Sequence, residues 1–439
     1  MLSILLDYIL DLTSIVIIPT VLASTYAADF NPLVGDFPMS RWYNDTWLIQ
    51  FVNESQLVVV TSPLDATMRL VFSIGLVTTA WSIASILDLH RSRPVDVRVH
   101  ALSTMIHTPV AIQAASSRAA PRWHTLVRWF MVICGIVVLV LHLHAVDQSV
   151  VPNCSHTVHP WWTSRPACAL LHVDCSRHPT EDAATLIAAA IESVEAHWLR
   201  YLIIRHCQSL RVPTAVTKLH DVIGIKFYNT TVDAWDSRAA LTAHHHPAIR
   251  FIFLVSTQLP NASVPVGLLA DEFPPGLLDI EFVATNLDHL PDRVGDLWPS
   301  GLILHIEHSR LTAVPPVLDQ LHIFACSLAG NAISIVPPSL LEMGIAVLTL
   351  SGNPMESLPD DVSADQVSTL REIAITWTNI SVEPVWMDTA FLSRTVVFAG
   401  NTPLCDTLEH GTIRSGIVCD GSKHAEIGRY PRWIDLEVS

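Results

Sequence analysis

The sequence predicts an α/β solenoid, a parallel sheet wound from one short strand per repeat, preceded by an α-helical membrane domain of two to three spanning segments. Two observations carry that expectation. Apolar positions recur in register across 277–381, and two stretches at 70–87 and 129–146 are long, apolar and almost free of charge.

The recurrence is explicit. L-L-D-I-E-F-V-A-T-N-L-D-H-L-P is followed by G-L-I-L-H-I-E-H-S-R-L-T-A-V-P, I-F-A-C-S-L-A-G-N-A-I-S-I-V-P and I-A-V-L-T-L-S-G-N-P-M-E-S-L-P. Each fits L-x-x-L-x-L-x-x-N-x-L-x-x-L-P, the leucine-rich repeat pattern. The fourth-position residues Ile280, Leu304, Cys326, Leu348 and Ile373 recur every 22 to 25 residues. Weaker copies place Leu202, Ile225 and Ile252 at the same position, and a degenerate one lies near Val396 and Phe398. One strand cannot bury its apolar face alone, so the copies must stack, and the two ends need capping. Asn331 and Asn353 sit at the ninth position, where an inward amide satisfies turn backbone groups. Cys207, Thr and Ser are weaker substitutes there. Val-Pro and Leu-Pro pairs at 314–315, 336–337 and 358–359 predict an extended return path. Cys326 stands where Leu is usual and reads as a buried core thiol.

Half of the 439 residues are hydrophobic, only 15% are charged, and the net charge is -16. That balance argues against a nucleic-acid partner and for partial burial in lipid. Eighteen helical residues at 70–87 or 129–146 reach roughly 27 Å, enough for a bilayer core. The segment 1–29 predicts a first membrane helix, or a signal-like segment, with Asp7 and Asp11 on one face. The 88–128 connection carries six Arg against two Asp, which places it in the cytoplasm and 30–69 and 147–439 outside. Sequons at Asn44, Asn53, Asn153, Asn229, Asn261 and Asn379 all fall on the outer side and predict glycosylation. Residues 147–198 form a Cys-containing N-terminal cap, 199–400 the repeats, and 401–439 a Cys-bounded C-terminal cap and tail.

Cysteine usage fits an oxidising compartment. Cys405 and Cys419 bracket the far end and predict one bridge. Cys154, Cys168, Cys175 and Cys207 predict two more, with the pairing unreadable.

The stretches DLTSIVIIPTVL and W-Y-N-D-T-W-L-I-Q-F-V-N-E-S-Q-L-V-V-V, with repeats ending in a Cys-bounded tail bearing G-R-Y-P (428–431), resemble the multi-spanning membrane leucine-rich repeat proteins of oomycetes. The resemblance covers nearly the whole chain. It implies a membrane protein with extracellular repeats. Family members often carry more membrane helices before the D-L-T-S segment, and some append an intracellular kinase, whose motifs are missing from this sequence.

No phosphate-cradling glycine loop, kinase motif, G-x-S-x-G elbow or H-E-x-x-H occurs, so the expectation is no enzyme, no cofactor and no metal. The run His244, His245, His246 invites a metal reading, but Pro247 after it favours a polar loop. Side chains flanking the buried fourth and sixth positions alternate onto the concave face. Glu281, His305, Glu307, Ser327, Thr349, Ser351, Thr376 and Trp377 are therefore the candidate ligand face. A carboxylate beside His305 favours the protonated ring and pH sensitivity. The function expected is receptor-like recognition of an extracellular protein, peptide or glycan, with membrane lipid and a cytoplasmic protein at 88–128 as further partners. Alternatives are a transport or channel protein using Asp7 and Asp11, with the repeats as regulator, and a structural or adhesion protein.

Overall fold

The computed structural model describes residues 9, 12–32, 35–58, 63–91, 122–147, 151–161, 163, 165–407, 415–420 and 427–434. They fall into two compact units, 1–38 with 50–146, and Met39–Ile49 with Asp147–Ser439.

The first unit is helical. A π-turn at Thr13–Ile17 runs into a helix at Ile18–Ala27, and longer helices span Pro63–Arg91 and Arg122–Val146. The stretches 70–87 and 129–146 lie inside the two long helices. Among the described residues, no helix is long and apolar enough to cross a membrane. Apolar side chains nonetheless stand outward along both, including Val77, Trp81, Trp129, Ile133, Ile136 and Val140. Asp7, Asp11 and the basic stretch 92–121 lie outside the described residues.

The second unit is the solenoid. Its strands are β1 (Cys154–Val158), β2 (Ala167–Asp174), β3 (Tyr201–Arg205), β4 (Leu210–Arg211), β5 (Gly224–Tyr228), β6 (Val232–Ala234) and β7 (Phe251–Val255). They continue as β8 (Asp279–Val283), β9 (Leu302–Glu307), β10 (Ile323–Ser327), β11 (Val347–Thr349), β12 (Glu372–Ala374), β13 (Val396–Phe398) and β14 (Ile417–Val418). Twelve of them form one sheet in the order β1-β2-β3-β5-β7-β8-β9-β10-β11-β12-β13-β14, and β4 and β6 pair separately on the return side. Only β1, at the N-terminal edge, runs antiparallel to its neighbour. The parallel course follows from the repeat, because every strand is re-entered from the same side after one return segment.

The fourth and sixth positions hold Leu202 with Ile204, Ile280 with Phe282, Leu304 with Ile306 and Leu348 with Leu350, all fully buried. Each such side chain contributes about 1.5–3 kcal/mol of burial. The gain is realised only by stacking on the next repeat. Cys326 is buried and unbonded among these residues.

The ninth position follows each strand, in the turn that leaves it. Asn331 Nδ2 donates to the carbonyls of Ile306 (2.7 Å) and Leu328 (2.9 Å), and its Oδ1 accepts from Leu311 N (3.2 Å). Asn353 repeats the pattern one turn later. Thr257 and Thr378 hold only carbonyls, through their hydroxyls. The residue before it turns left-handed in repeat after repeat, at His206, Asn229, Ser256, Ala284, His308, Gly330, Gly352 and Trp377. Glycine meets that requirement without steric cost in only two of these.

The return path is not extended throughout. Pro315 and Pro337 lead directly into one-turn helices at Pro316–Gln320 and Pro338–Glu342. Proline's fixed φ suits a first helical turn, where its missing N–H is not needed. The pairs therefore bound a short helix as well as steering the chain. The N-terminal return instead holds a full helix at Ala183–Ser193, capped by Asp182 on Thr185 N (2.9 Å).

Three disulfides close the ends. Cys154–Cys168 ties the antiparallel edge strand down, Cys175–Cys207 joins the first two turns, and Cys405–Cys419 fastens β14 at the far end. Cys207 occupies a ninth position, so a covalent bond stands where later repeats use hydrogen bonds.

Candidate functional site

The fifth-position side chains Lys226, Phe253, Glu281, His305, Ser327, Thr349 and Ala374 lie in register on seven consecutive strands from β5 to β12. Glu281 and His305 are directly opposed, with His305 Nδ1 3.0 Å from Glu281 Oε1. Glu307 lies two residues further along β9, and Thr376 Oγ1 donates to Ser351 Oγ (2.8 Å).

This face is not open. Glu281, His305, Glu307, Ser327, Thr349, Ser351 and Thr376 are all buried, and only Trp377, 49% exposed, reaches solvent. The residues of the candidate ligand face are thus covered, and the reason is tertiary. Two distant segments of the same chain lie across it.

The first is Met39–Ile49. Tyr43 is buried, donates from Oη to Glu281 Oε1 (2.5 Å), and packs its ring 5.6 Å from that of Phe253. Asp45 Oδ2 sits 3.3 Å from Lys226 Nζ, and its Oδ1 accepts from Tyr201 Oη (2.9 Å). The Lys226 ammonium is 2% exposed and so requires a partner of this kind. Ile49 ends fully buried.

The second is 427–434. Glu307 accepts from the backbone N–H of Arg429 (2.6 Å, Oε1) and of Tyr430 (3.1 Å, Oε2), and also from Ser327 Oγ. Arg429 Nε donates to Thr349 Oγ1 (2.9 Å), and its Nη2 pairs with Glu372. Gly428 has φ +117°, and a Cβ there would stand 2.4 Å from Glu307 Oε2. Only glycine brings backbone so close to the carboxylate. Tyr430, 1% exposed, lies 4.8 Å from the Tyr43 ring, with Lys226 Nζ 5.7 Å from its centroid.

The electrostatics follow from burial. Burial alone would lower the His305 pKa, but the charge of Glu281 and its bond, then Glu307 and Asp279, raise it to about 9. Burial, and next the Glu281 charge, hold the Asp279 carboxyl well above the usual range. Burial, and then the same charge, push the Tyr43 phenol up, which keeps it a donor. A protonated His305 thus neutralises part of an acidic row sealed from water. Such a row holds and orients a neighbouring segment.

Elsewhere, His246 is buried with Nε2 3.0 Å from Val216 O, and burial lowers its pKa to about 4. Among the described residues, no three His, Cys, Asp or Glu side chains stand where they could hold a metal ion. Asn44, Asn229, Asn261 and Asn379 are exposed, and Asn53 and Asn153 half-buried. Sequence reasoning did not place Tyr43, Asp45, Gly428, Arg429 or Tyr430 at the site, although the W-Y-N-D-T-W and G-R-Y-P stretches that contain them were conspicuous. Lys226 was readable as a fifth-position residue of a weak repeat.

No family model and no curated protein matches this chain. Among solved structures it is similar to a leucine-rich repeat protein of Leptospira interrogans at 14% identity, over 47% of this chain and 56% of that one, with a TM-score of 0.37. It is similar at 13% identity to a leucine-rich repeat protein of Bacteroides eggerthii, over 56% of this chain and 42% of that one, with a TM-score of 0.36. A third likeness is to Toll in the Drosophila Toll–Spatzle complex, at 15% identity, 50% and 30% coverage and a TM-score of 0.38. The match spans between 30% and 56% of the length of these three proteins.

Proposed function

We propose that this chain is a non-catalytic, receptor-like membrane protein whose leucine-rich repeats bind an extracellular protein, peptide or glycan. The observation that carries the reading is that the concave face already grips a segment of chain by its backbone and its charge together. Glu307 receives two consecutive backbone N–H groups, and Thr349 and Glu372 receive a guanidinium. Carboxylates that read backbone and charge together are peptide-recognition chemistry.

Three disulfides and the exposed sequons support an oxidising, extracellular setting for 147–439. The outward apolar residues of the Pro63–Arg91 and Arg122–Val146 helices support burial of those helices in lipid, with 88–128 on the cytoplasmic side, available to a partner protein there. Two measurements test the reading. Protease added to intact cells should digest 147–439 and spare 88–128. The full chain in lipid nanodiscs should bind saturably to members of an extracellular peptide library or a glycan array. Protection of 147–439 would remove the cell-surface location, and silence across both libraries, for the unaltered chain and for Arg429→Ala alike, would remove the recognition role.

A further inference from the structure

The segment 427–430 is held in a manner unlike the repeats it covers. Repeat stacks on repeat through apolar side chains at the fourth and sixth positions, whereas this segment is held largely by polar bonds to side chains. The receiving row is acidic. Asp279 and Glu281 stand on β8, Glu307 on β9 and Glu372 on β12. His305 lies against Glu281, and Lys226 is taken up by Asp45. Arg429 is the cation that meets the outer part of this row, through Thr349 and Glu372.

Three sub-sites are distinct. Glu307 reads two successive N–H groups and tolerates no Cβ at the preceding residue. Thr349 and Glu372 read a guanidinium. Phe253, Tyr43 and Lys226 surround a tyrosine ring at 6.3, 4.8 and 5.7 Å.

We propose that these sub-sites form a binding site for a Gly-Arg-aromatic segment of another protein, and that the chain's own Gly428, Arg429 and Tyr430 occupy it in cis. The assignment deepens the recognition role proposed above and rests on it. A tethered segment acts at an effective concentration of the order of millimolar, so a free peptide competes poorly until the tethered copy is weakened. Removing the Arg429 side chain weakens the occupant while leaving every receiving group in place.

The test uses the full chain in lipid nanodiscs and the synthetic peptide Ile-Gly-Arg-Tyr-Pro. The Arg429→Ala variant should bind it at least tenfold more tightly than the unaltered chain. Adding Glu307→Gln to that variant should weaken binding at least tenfold, because the amide NH2 takes the place of one of the two oxygens that accept these N–H groups and sets a donor against a donor. In the unaltered chain, saturating peptide should raise hydrogen exchange at 427–431 and leave β8 to β12 protected, a readout that needs no variant to fold. Full protection of 427–431 under saturating peptide, or no binding by a folded Arg429→Ala chain, would overturn the proposal and leave the segment a structural closure. Self-association of the variant without peptide binding would also overturn it, in favour of a second copy. Library binders unrelated to Gly-Arg-aromatic would keep the recognition role and reject this assignment.

Discussion

Tyr43 and Glu281 are separated by 238 residues and joined by a 2.5 Å hydrogen bond inside the concave face of the solenoid. That bond, and the Asp45–Lys226 pair beside it, bind a short segment from before the long helices to strands of the fifth-position row. Tyr43→Phe keeps the ring packing and removes one donor from a buried carboxylate. The expected cost is about 1–3 kcal/mol. Chemical denaturation followed by near-ultraviolet circular dichroism measures it, and an unchanged midpoint would show that the bond contributes nothing.

The His305 ring sets a pH dependence. Its folded pKa of about 9 lies above the unfolded value of 6.5, so its stabilisation is complete below about 6.5 and is lost as pH rises through 9. Unfolding free energy should therefore fall between pH 7 and 10, and the fall should flatten in His305→Gln. Equal slopes in the two proteins would dismiss the effect.

Asp279 carries the opposite lesson. Burial, and then the neighbouring Glu281 charge, raise its pKa, so the folded state resists its ionisation and loses stability as pH climbs above the unfolded carboxylate value. Asp279→Asn should stabilise the protein at pH 8 and change little at pH 3. Thermal melts at the two values decide it; destabilisation at pH 8 would contradict the argument.

The ninth-position ladder predicts graded losses. Asn353→Ala removes an acceptor for Ile333 N and a donor to Leu328 O and Leu350 O, leaving buried backbone groups unpaired at about 1–3 kcal/mol or more. Asn353→Thr should lose less, since Thr378 in the next repeat bonds the Ile375 carbonyl at the same position. Equal destabilisation by the two substitutions in urea titrations would argue against the ladder.

Thiol chemistry separates the cysteines. Burial pushes the Cys326 thiol up to about 12, so iodoacetamide should leave it untouched in native protein and label it once the fold is opened in denaturant. Mass spectrometry of non-reduced digests should recover Cys154–Cys168, Cys175–Cys207 and Cys405–Cys419 as linked peptides. Rapid native labelling of Cys326 would place it outside the core.

The residues themselves determined the solenoid, its strand register and the ninth-position ladder. Each depends on contacts between neighbouring repeats, about 22 to 25 residues apart, and such contacts must recur in the sequence at that period. The opposition of Glu281 and His305 was legible for the same reason. What lies over the concave face was decided by the tertiary structure alone. Tyr43 reaches Glu281 across 238 residues, and Arg429 reaches Glu307 across 122. Each contact is made once, between unique segments, so no periodicity announces it. Alternation tells which way a strand side chain points, but whether water or another part of the chain meets it there depends on packing that no local pattern encodes.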